Sequence, residues 1–382
     1  RGVSFPVEFS ELLDAVMDAL ATYEASSKDD AADHAYWDAT NVAREDYRAK
    51  LLLTFKGTSI ELPPEKVLDI LSKMIAKIDA GITKAVALEA GLSPTYFYYE
   101  CVDYKTTTDE DTVEIAEDGT KTVTPGATHV EVTKFKRHDL PAFLEGPTRN
   151  MKILDDKSAK RNVYQLARKS ELYDEALKMF TVSASLKTMR PEVGRMVAFS
   201  PGWLENESVW LHMSYKFYLE LLRGGLYEEF YHEIKTGLVP FMDVDVYGRS
   251  PLEAASFIAS SVFPDKKLHG TGYLARLSGS TAEFLSLWAI MFMGEFPFTY
   301  EDGSLALALK PVLPSWLFKD NGTLSFTFLG SVEVIYHNKN FHNTWTTAVE
   351  YIHVTMTDGS KHIVHGDKIE GELAKSARDG SS

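Results

Sequence analysis

A carboxylate and an imidazole seven residues apart, Glu205 and His212, stand in the run SPGWLENESVWLH at 200–212. Pro201 and Gly202 make a turn there that cannot continue a helix. The turn places Glu205 and Asn206 ahead of a helix expected over about 207–223, with Glu205 at its mouth, where the dipole favours a negative charge. His212 falls among Trp210, Leu211, Met213 and Phe217, so the helix should be buried on most of its circumference. A buried imidazole needs a partner. Either His212 is a core histidine bonded to a nearby carbonyl, or the pair is kept for a ligand. A second polar locus lies in RLSGSTAE at 276–283, where Ser280 and Glu283 read as a capping box opening an apolar helix over 281–293 that Gly294 ends. Ser278 and Gly279 precede it. Hydroxyls, free backbone N–H groups and the positive end of a helix make a ready anion site, although such caps are also common as plain structure.

Helical segments must carry both loci. Phe9, Leu12, Leu13, Val16, Met17 and Leu20 repeat with helical spacing, a second helix is expected over about 30–53, and a third over about 64–80 is ended by Gly81. The period then changes. Aromatic and β-branched stretches at 95–104 and 128–135, joined by an acidic link with Asp118-Gly119, read as an inserted β-hairpin. Its aromatic run, Tyr96, Phe97, Tyr98 and Tyr99, could stack on sugar rings, but packing against helices is the usual role of such residues. Arg149, after the Gly146-Pro147 turn, is expected to be solvated or to hold a local carboxylate rather than phosphate. Helical segments resume over about 159–180, including LYDEALKMF, and the glycines at 224, 225 and 237 punctuate further antiparallel helical pairs. The stretch 240–272 reads as a loop. Its Asp243 and Asp245 have no matching histidine cluster, so no metal is expected, and Arg249 is a secondary candidate for an oxyanion or carboxylate. From residue 296 onward, alternating runs bounded by Gly, Asn and Asp turns predict an antiparallel sandwich, followed by a frayed polar tail from 374.

The stretch GRMVAFSPGWLENESVWLH at 194–212 resembles the signature of the inverting glycoside phosphorylases of glycoside hydrolase family 94 and its relatives. Those enzymes carry a Pro-Gly-x-x-Glu-Asn turn with a histidine seven residues after the glutamate. Three further segments, in order, are similar to theirs: VPFMDVDVYGRS at 239–250, LSGS at 277–280 beside a Thr-Gly-Ser phosphate turn, and DGSLALALKPVLPSW at 302–316 at the start of a C-terminal β domain. The resemblance implies a mainly α, then β chain: part of a six-hairpin α/α barrel over 1–295 with a β insert at about 95–136, a β-sandwich over 296–373 and a flexible tail over 374–382. It implies that His212, Ser278 and Gly279 bind inorganic phosphate as co-substrate, while Glu205, Asn206 and Arg249 bind sugar. It also implies that the general acid, an aspartate, lies upstream of Arg1, so this chain corresponds to a C-terminal half that needs the rest of its protein for activity. Two departures stand out. Serine replaces the usual threonine at 278, and Glu207 stands where family 94 commonly has glycine. The reaction expected is phosphorolysis of a β-glucan or its oligosaccharides, β-1,3 before other linkages and closest in style to families 149 and 161. An inverting hydrolase on the same architecture and a noncatalytic carbohydrate-binding protein are the alternatives.

Bulk properties narrow the field. A chain of 382 residues, 45% hydrophobic and 12% aromatic, is long enough for a large core or two domains. A formal charge of −15 argues against nucleic-acid and anionic-membrane partners, which need a basic footprint. The single cysteine, Cys101, excludes an internal disulfide and fits a reducing compartment such as the cytoplasm. No cofactor is expected beyond phosphate, and the resemblance allows a homodimer.

Overall fold

The computed structural model describes residues 2–51, 56–88, 91–95, 97–275 and 278–380, with the side chains at 274, 275 and 278 outside the description. These residues mix helix and strand, and the strands pair in small antiparallel sheets. Two compact units are formed, one by residues 1–90 and 96–140 and the other by 91–95 and 141–382. The boundary expected at 295 is therefore a division within the second unit.

In the first unit β1 (Val3–Pro6) leads into α1 (Val7–Glu24), which packs on α2 (Asp30–Leu51). Tyr23 donates to Asp33 at 2.7 Å, and Lys50 pairs with Glu11. β2 (Ser59–Leu62) pairs antiparallel with β1 and is followed by α3 (Pro64–Leu88). Gly81 does not end α3 as expected. An interior glycine costs a helix only about 1 kcal/mol against alanine, and the turn beyond it is tied down by an ion pair from Lys84 to Asp33. α3 turns Leu68, Leu71, Ile75 and Ile78 outward, all exposed, as a lone piece of a helical layer would. The insert is a hairpin within a hairpin. β3 (Phe97–Thr108) pairs with β6 (Thr128–Asp139), and between them β4 (Thr112–Ile115) pairs with β5 (Lys121–Thr124) around Asp118-Gly119. Phe135 and Tyr99 pack against His34 of α2, with the Phe135 and His34 rings stacked at 4.1 Å, which is the packing role expected of the aromatic run. Tyr96 of that run lies outside the described residues.

In the second unit α4 (Glu145–Ile153) and α5 (Lys157–Lys169) come first, and Asp156 caps α5 by accepting from the Ala159 N–H at 2.7 Å. Arg149 binds Glu145 one turn back at 3.0 Å, the local carboxylate expected. The expected helix through LYDEALKMF is instead a tight hairpin of β7 (Tyr173–Asp174) and β8 (Met179–Phe180). Asp174 is the cause: its carboxylate accepts from the N–H groups of Ala176 and Leu177, both at 3.0 Å, and from both the N–H and the hydroxyl of Ser261. Asp prefers such local bonds to helix interiors, and Lys178 then takes a left-handed φ of 56°. β9 (Val209–Trp210) leads into α6 (Leu211–Arg223), followed by α7 (Tyr227–Gly237) and the single turn α8 (Val244–Tyr247). The region expected to be loop then supplies β10 (Ala255–Ile258) and β11 (Gly272–Ala275), and α9 (Ser278–Met293) follows. Phe180, Phe217 and Leu144 are fully buried in the main core, with the Phe180 and Phe217 rings 4.7 Å apart.

The C-terminal strands form as expected, in small antiparallel sheets. β12 (Phe298–Glu301), β13 (Ser304–Leu307) and β18 (Ile369–Glu370) form one sheet, while β14 (Thr323–Phe328) pairs with β15 (Val332–His337) and β16 (Tyr351–Thr355) with β17 (Lys361–His365). Among the described residues no closed barrel is formed, and the strands pair only as small antiparallel sheets. The tail expected to fray is α10 (Glu372–Asp379), because Ala374 is fully buried against Leu307, Phe328 and Ile369.

Replacing Phe180 with alanine should lower unfolding free energy by about 3–5 kcal/mol, the usual cost of truncating a buried aromatic. Phe296→Ala, at a side chain 74% exposed, should stay within about 0.5 kcal/mol of the parent. Urea denaturation followed by tryptophan fluorescence measures both.

Candidate functional site

Three short strands aim the site. β10 is buried along its whole length, Ser256 included, and both β9 and β11 pair antiparallel with it. The two outer strands therefore run the same way; β9 passes directly into α6, and α9 is the next described element after β11. Their register is locked by a ladder of rings, since Trp210 and Tyr273 both lie opposite Phe257 and stack on it at 5.9 and 5.4 Å. Both helices must then start at the same edge of the sheet. A Cβ at Gly279 would stand 3.4 Å from the Cβ of His212 and 3.9 Å from its Cδ2, so the backbone opening α9 lies against the imidazole in the first turn of α6. Farther along, the rings of Tyr215 and Phe284 approach to 6.5 Å. His212 and Gly279, predicted 67 positions apart in sequence to share one anion, are neighbours in space. The side chain of Ser278 lies outside the described residues. Ser280 is not a cap: α9 begins at Ser278, and Ser280 sits buried in its first turn.

The turn before α6 also differs from expectation. Glu205 is not at a helix mouth, because Glu207 adopts a left-handed φ of 57° and Val209 and Trp210 are drawn into the sheet before the helix can start. Instead Pro201–Ser208 is a turn pinned from every side. The Gly202 and Trp203 N–H groups donate to the Asn206 carbonyl, Ser260 N–H to the Gly202 carbonyl, and Trp210 Nε1 to the Leu204 carbonyl at 2.7 Å. Ser183 Oγ donates to the Glu205 carbonyl and accepts from Glu207 N–H. Asn206 belongs to this scaffold: it is 4% exposed and its amide donates to the Phe199 carbonyl, so it braces the turn and does not face outward. Arg249 is engaged as well, donating to the Gly272 carbonyl at 2.8 Å and to Glu253 at 2.9 Å, which steadies the start of β11. Asp243 caps α8 by accepting from Asp245 N–H at 2.9 Å. Among the described residues no group of three or more His, Cys, Asp or Glu side chains could hold a metal ion, and no helix is long and apolar enough to cross a membrane.

What remains uncommitted is the chemistry. Glu205 Oε1 accepts from Arg195 at 3.1 Å, while Oε2 is buried with no hydrogen-bond partner among the described residues. His212 Nδ1 is likewise buried and unpartnered there, so the carbonyl partner of a core histidine is not supplied. Trp210 links the two, bonding the Leu204 carbonyl with its indole N–H and presenting its ring edge-on to His212 at 5.6 Å. Burial pushes the His212 pKa below its ordinary 6.5, Lys216 adds to the effect and Glu145 opposes it. The imidazole is therefore neutral at pH 7, with an N–H to donate. Burial also pushes the Glu207 carboxyl up, against a hydrogen bond from Ser185. Arg195, Ser183, Trp210 and Glu145 were not singled out from sequence as site residues. Gly194 and Arg195 in the quoted motif were the one available signal.

No protein-family model matches the chain, and no curated protein matches it significantly.

The lowered pKa of His212 fixes the sign of a pH effect. The unfolded chain takes up a proton near pH 6.5 while the folded chain resists until lower pH, so stability tied to His212 is present above about 6.5 and falls as pH drops below it. Its imidazole carbon-bound proton should titrate in NMR with a midpoint below 6.5, and His212→Gln should flatten the loss of stability between about pH 6.5 and 5.

Proposed function

We propose that this chain is the C-terminal part of an inverting glycoside phosphorylase acting on β-gluco-oligosaccharides, β-1,3-linked ones first. The observation that carries the reading is the contact of His212 with Gly279, at the joined starting ends of α6 and α9. Two helix N-termini and an imidazole N–H supply donors and positive partial charge at one point, which is the chemistry an inorganic phosphate requires. In the pinned turn that precedes α6, the Glu205 carboxylate carries an oxygen without a hydrogen-bond partner among the described residues, which on this reading a sugar hydroxyl would satisfy. The left-handed backbone at Glu207, where the resembled family carries glycine, is a conformation that glycine adopts most readily.

In this reading a carboxylic acid protonates the leaving glycosidic oxygen while a phosphate oxygen attacks the anomeric carbon from the opposite face. The carbon–oxygen bond to the leaving sugar breaks, a bond to phosphate forms, and α-glucose 1-phosphate and the shortened sugar result. His212 and the amides at the start of α9 orient the nucleophile, and Glu205 fixes the ring beside it for in-line attack. On this reading the acid is an aspartate that the resemblance matches to no residue of this chain. The helices here belong, on this reading, to a six-hairpin α/α barrel and the strands after 296 to its β domain, in a cytoplasmic protein whose partners are the sugar, phosphate and, in a homodimer, a second copy.

Incubating the full-length protein with laminari- and cello-oligosaccharides, with and without phosphate, should release glucose 1-phosphate only when phosphate is present. Release of free glucose without phosphate would instead identify a hydrolase, and binding without turnover a carbohydrate-binding protein. His212→Ala should raise the KM for phosphate about tenfold or more, the loss of a charge-assisted hydrogen bond, and leave the KM for sugar nearly unchanged. Equal effects on both would count against its role.

A further inference from the structure

The guanidinium of Arg195 is unusual for its combination of exposure and target. Its side chain is 81% exposed, yet it reaches Glu205, 26% exposed, and donates to Oε1 at 3.1 Å. Exposed arginines in ion pairs contribute little to stability, commonly below about 1 kcal/mol. Here the partner is a carboxylate whose backbone is held by Ser183 and by the turn, and whose other oxygen is buried and unpartnered. With the main chain fixed, the remaining freedom of Glu205 is rotation of its side chain. The donor on Oε1 favours the rotamer seen, in which Oε2 is buried. Arg195 itself is carried by the short turn Arg195–Ala198, entered through Gly194 at a φ of 129°, a conformation that side chains rarely adopt.

We infer that Arg195 is a positioning residue: it orients Glu205 for recognition of the sugar, and so sets affinity for the oligosaccharide without contacting the phosphate locus at His212. The inference rests on the phosphorylase reading for the identity of the ligand, and on geometry alone for the role of Arg195. A neutral residue at 195 frees Glu205 to rotate. A lysine restores one charged donor but not the planar fork, so it should recover part of the effect.

The full-length protein and its Arg195→Ala and Arg195→Lys variants separate the possibilities. Calorimetric titration with laminaritriose and cellotriose, without phosphate, should show affinity for the preferred sugar falling about tenfold in Arg195→Ala and less in Arg195→Lys, the scale of one hydrogen bond to a charged group. In phosphorolysis the sugar KM should rise by the same factor while the phosphate KM stays within about twofold and the thermal midpoint is unchanged, as the exposure of the side chain requires. Glu205→Ala combined with Arg195→Ala should be no worse than Glu205→Ala alone. Unchanged sugar affinity, or phosphate and sugar KM rising together, overturns the role of Arg195 and leaves the phosphorylase reading standing. Lost sugar affinity in a protein that forms no glucose 1-phosphate overturns the phosphorylase reading and upholds Arg195. Absence of sugar binding by the parent protein overturns both.

Discussion

A single buried strand dictates the geometry of the site. Because β10 pairs antiparallel on both of its edges, β9 and β11 have no choice but to run parallel to each other, and the helices that follow them start side by side. Nothing at the site needs to be flexible for this. The ladder of Trp210, Phe257 and Tyr273 fixes the register, since a slip of one residue would turn those rings to the opposite face of the sheet. Packing along α6 and α9 then holds the two starting ends together. The convergence of His212 with Gly279 is a consequence of strand pairing, and loop chemistry has little part in it.

A second constraint follows from burial. The turn before α6 ties down its backbone through Ser183, Ser260, Trp210 and its own carbonyls, yet among the described residues it leaves side-chain atoms unpaired, Asn206 Oδ1 and Ser260 Oγ included. Buried polar atoms without partners are uncommon and each costs on the order of 1–3 kcal/mol. Two of them, Glu205 Oε2 and His212 Nδ1, belong to the residues bracketing Trp210. Such groups fit a surface made for a ligand that supplies the missing bonds, and the left-handed backbone at Leu204 and Glu207 places further strain in the same few residues.

The helices of this chain were legible because apolar spacing is a local property, and α1, α2, α6 and α7 lie close to where periodicity puts them. The inserted hairpin was legible for the same reason. Failures came where one distant partner decided the outcome. LYDEALKMF has helical spacing, but Asp174 is claimed by Ser261, 87 residues away, and the segment turns back on itself. AASFI looks like part of a loop until its two edges find β9 and β11. Gly81 is a stop signal that a remote ion pair from Lys84 overrides. At the site, Glu205 and His212 could be picked out by type and spacing, whereas Asn206 and Arg249, equally polar on paper, turned out to brace backbone. Polar side chains that serve structure and those left free for a ligand look the same in one dimension, and Asn206 is mixed even in three: its amide N–H braces the Phe199 carbonyl while its Oδ1 is buried without a partner among the described residues.

On the proposed reading, anion recognition by a chain with a formal charge of −15 is a short-range affair. Such a charge repels phosphate at a distance, and screening limits the repulsion to about 8 Å at physiological salt. Inside that distance the sign of the field is set by what the anion touches. At the junction of α6 and α9 those groups are backbone N–H dipoles and an imidazole held neutral by burial and by Lys216. Neutral donors aimed at one point bind an anion by direction, and they release it more readily than a cluster of full charges would. If phosphate is the nucleophile, as proposed, it leaves as part of the product, and this readier release from a cradle of dipoles serves that departure. The proximity of Glu145 sharpens the same point: a carboxylate near His212 tempers the local field, so that geometry and not net attraction selects the bound anion.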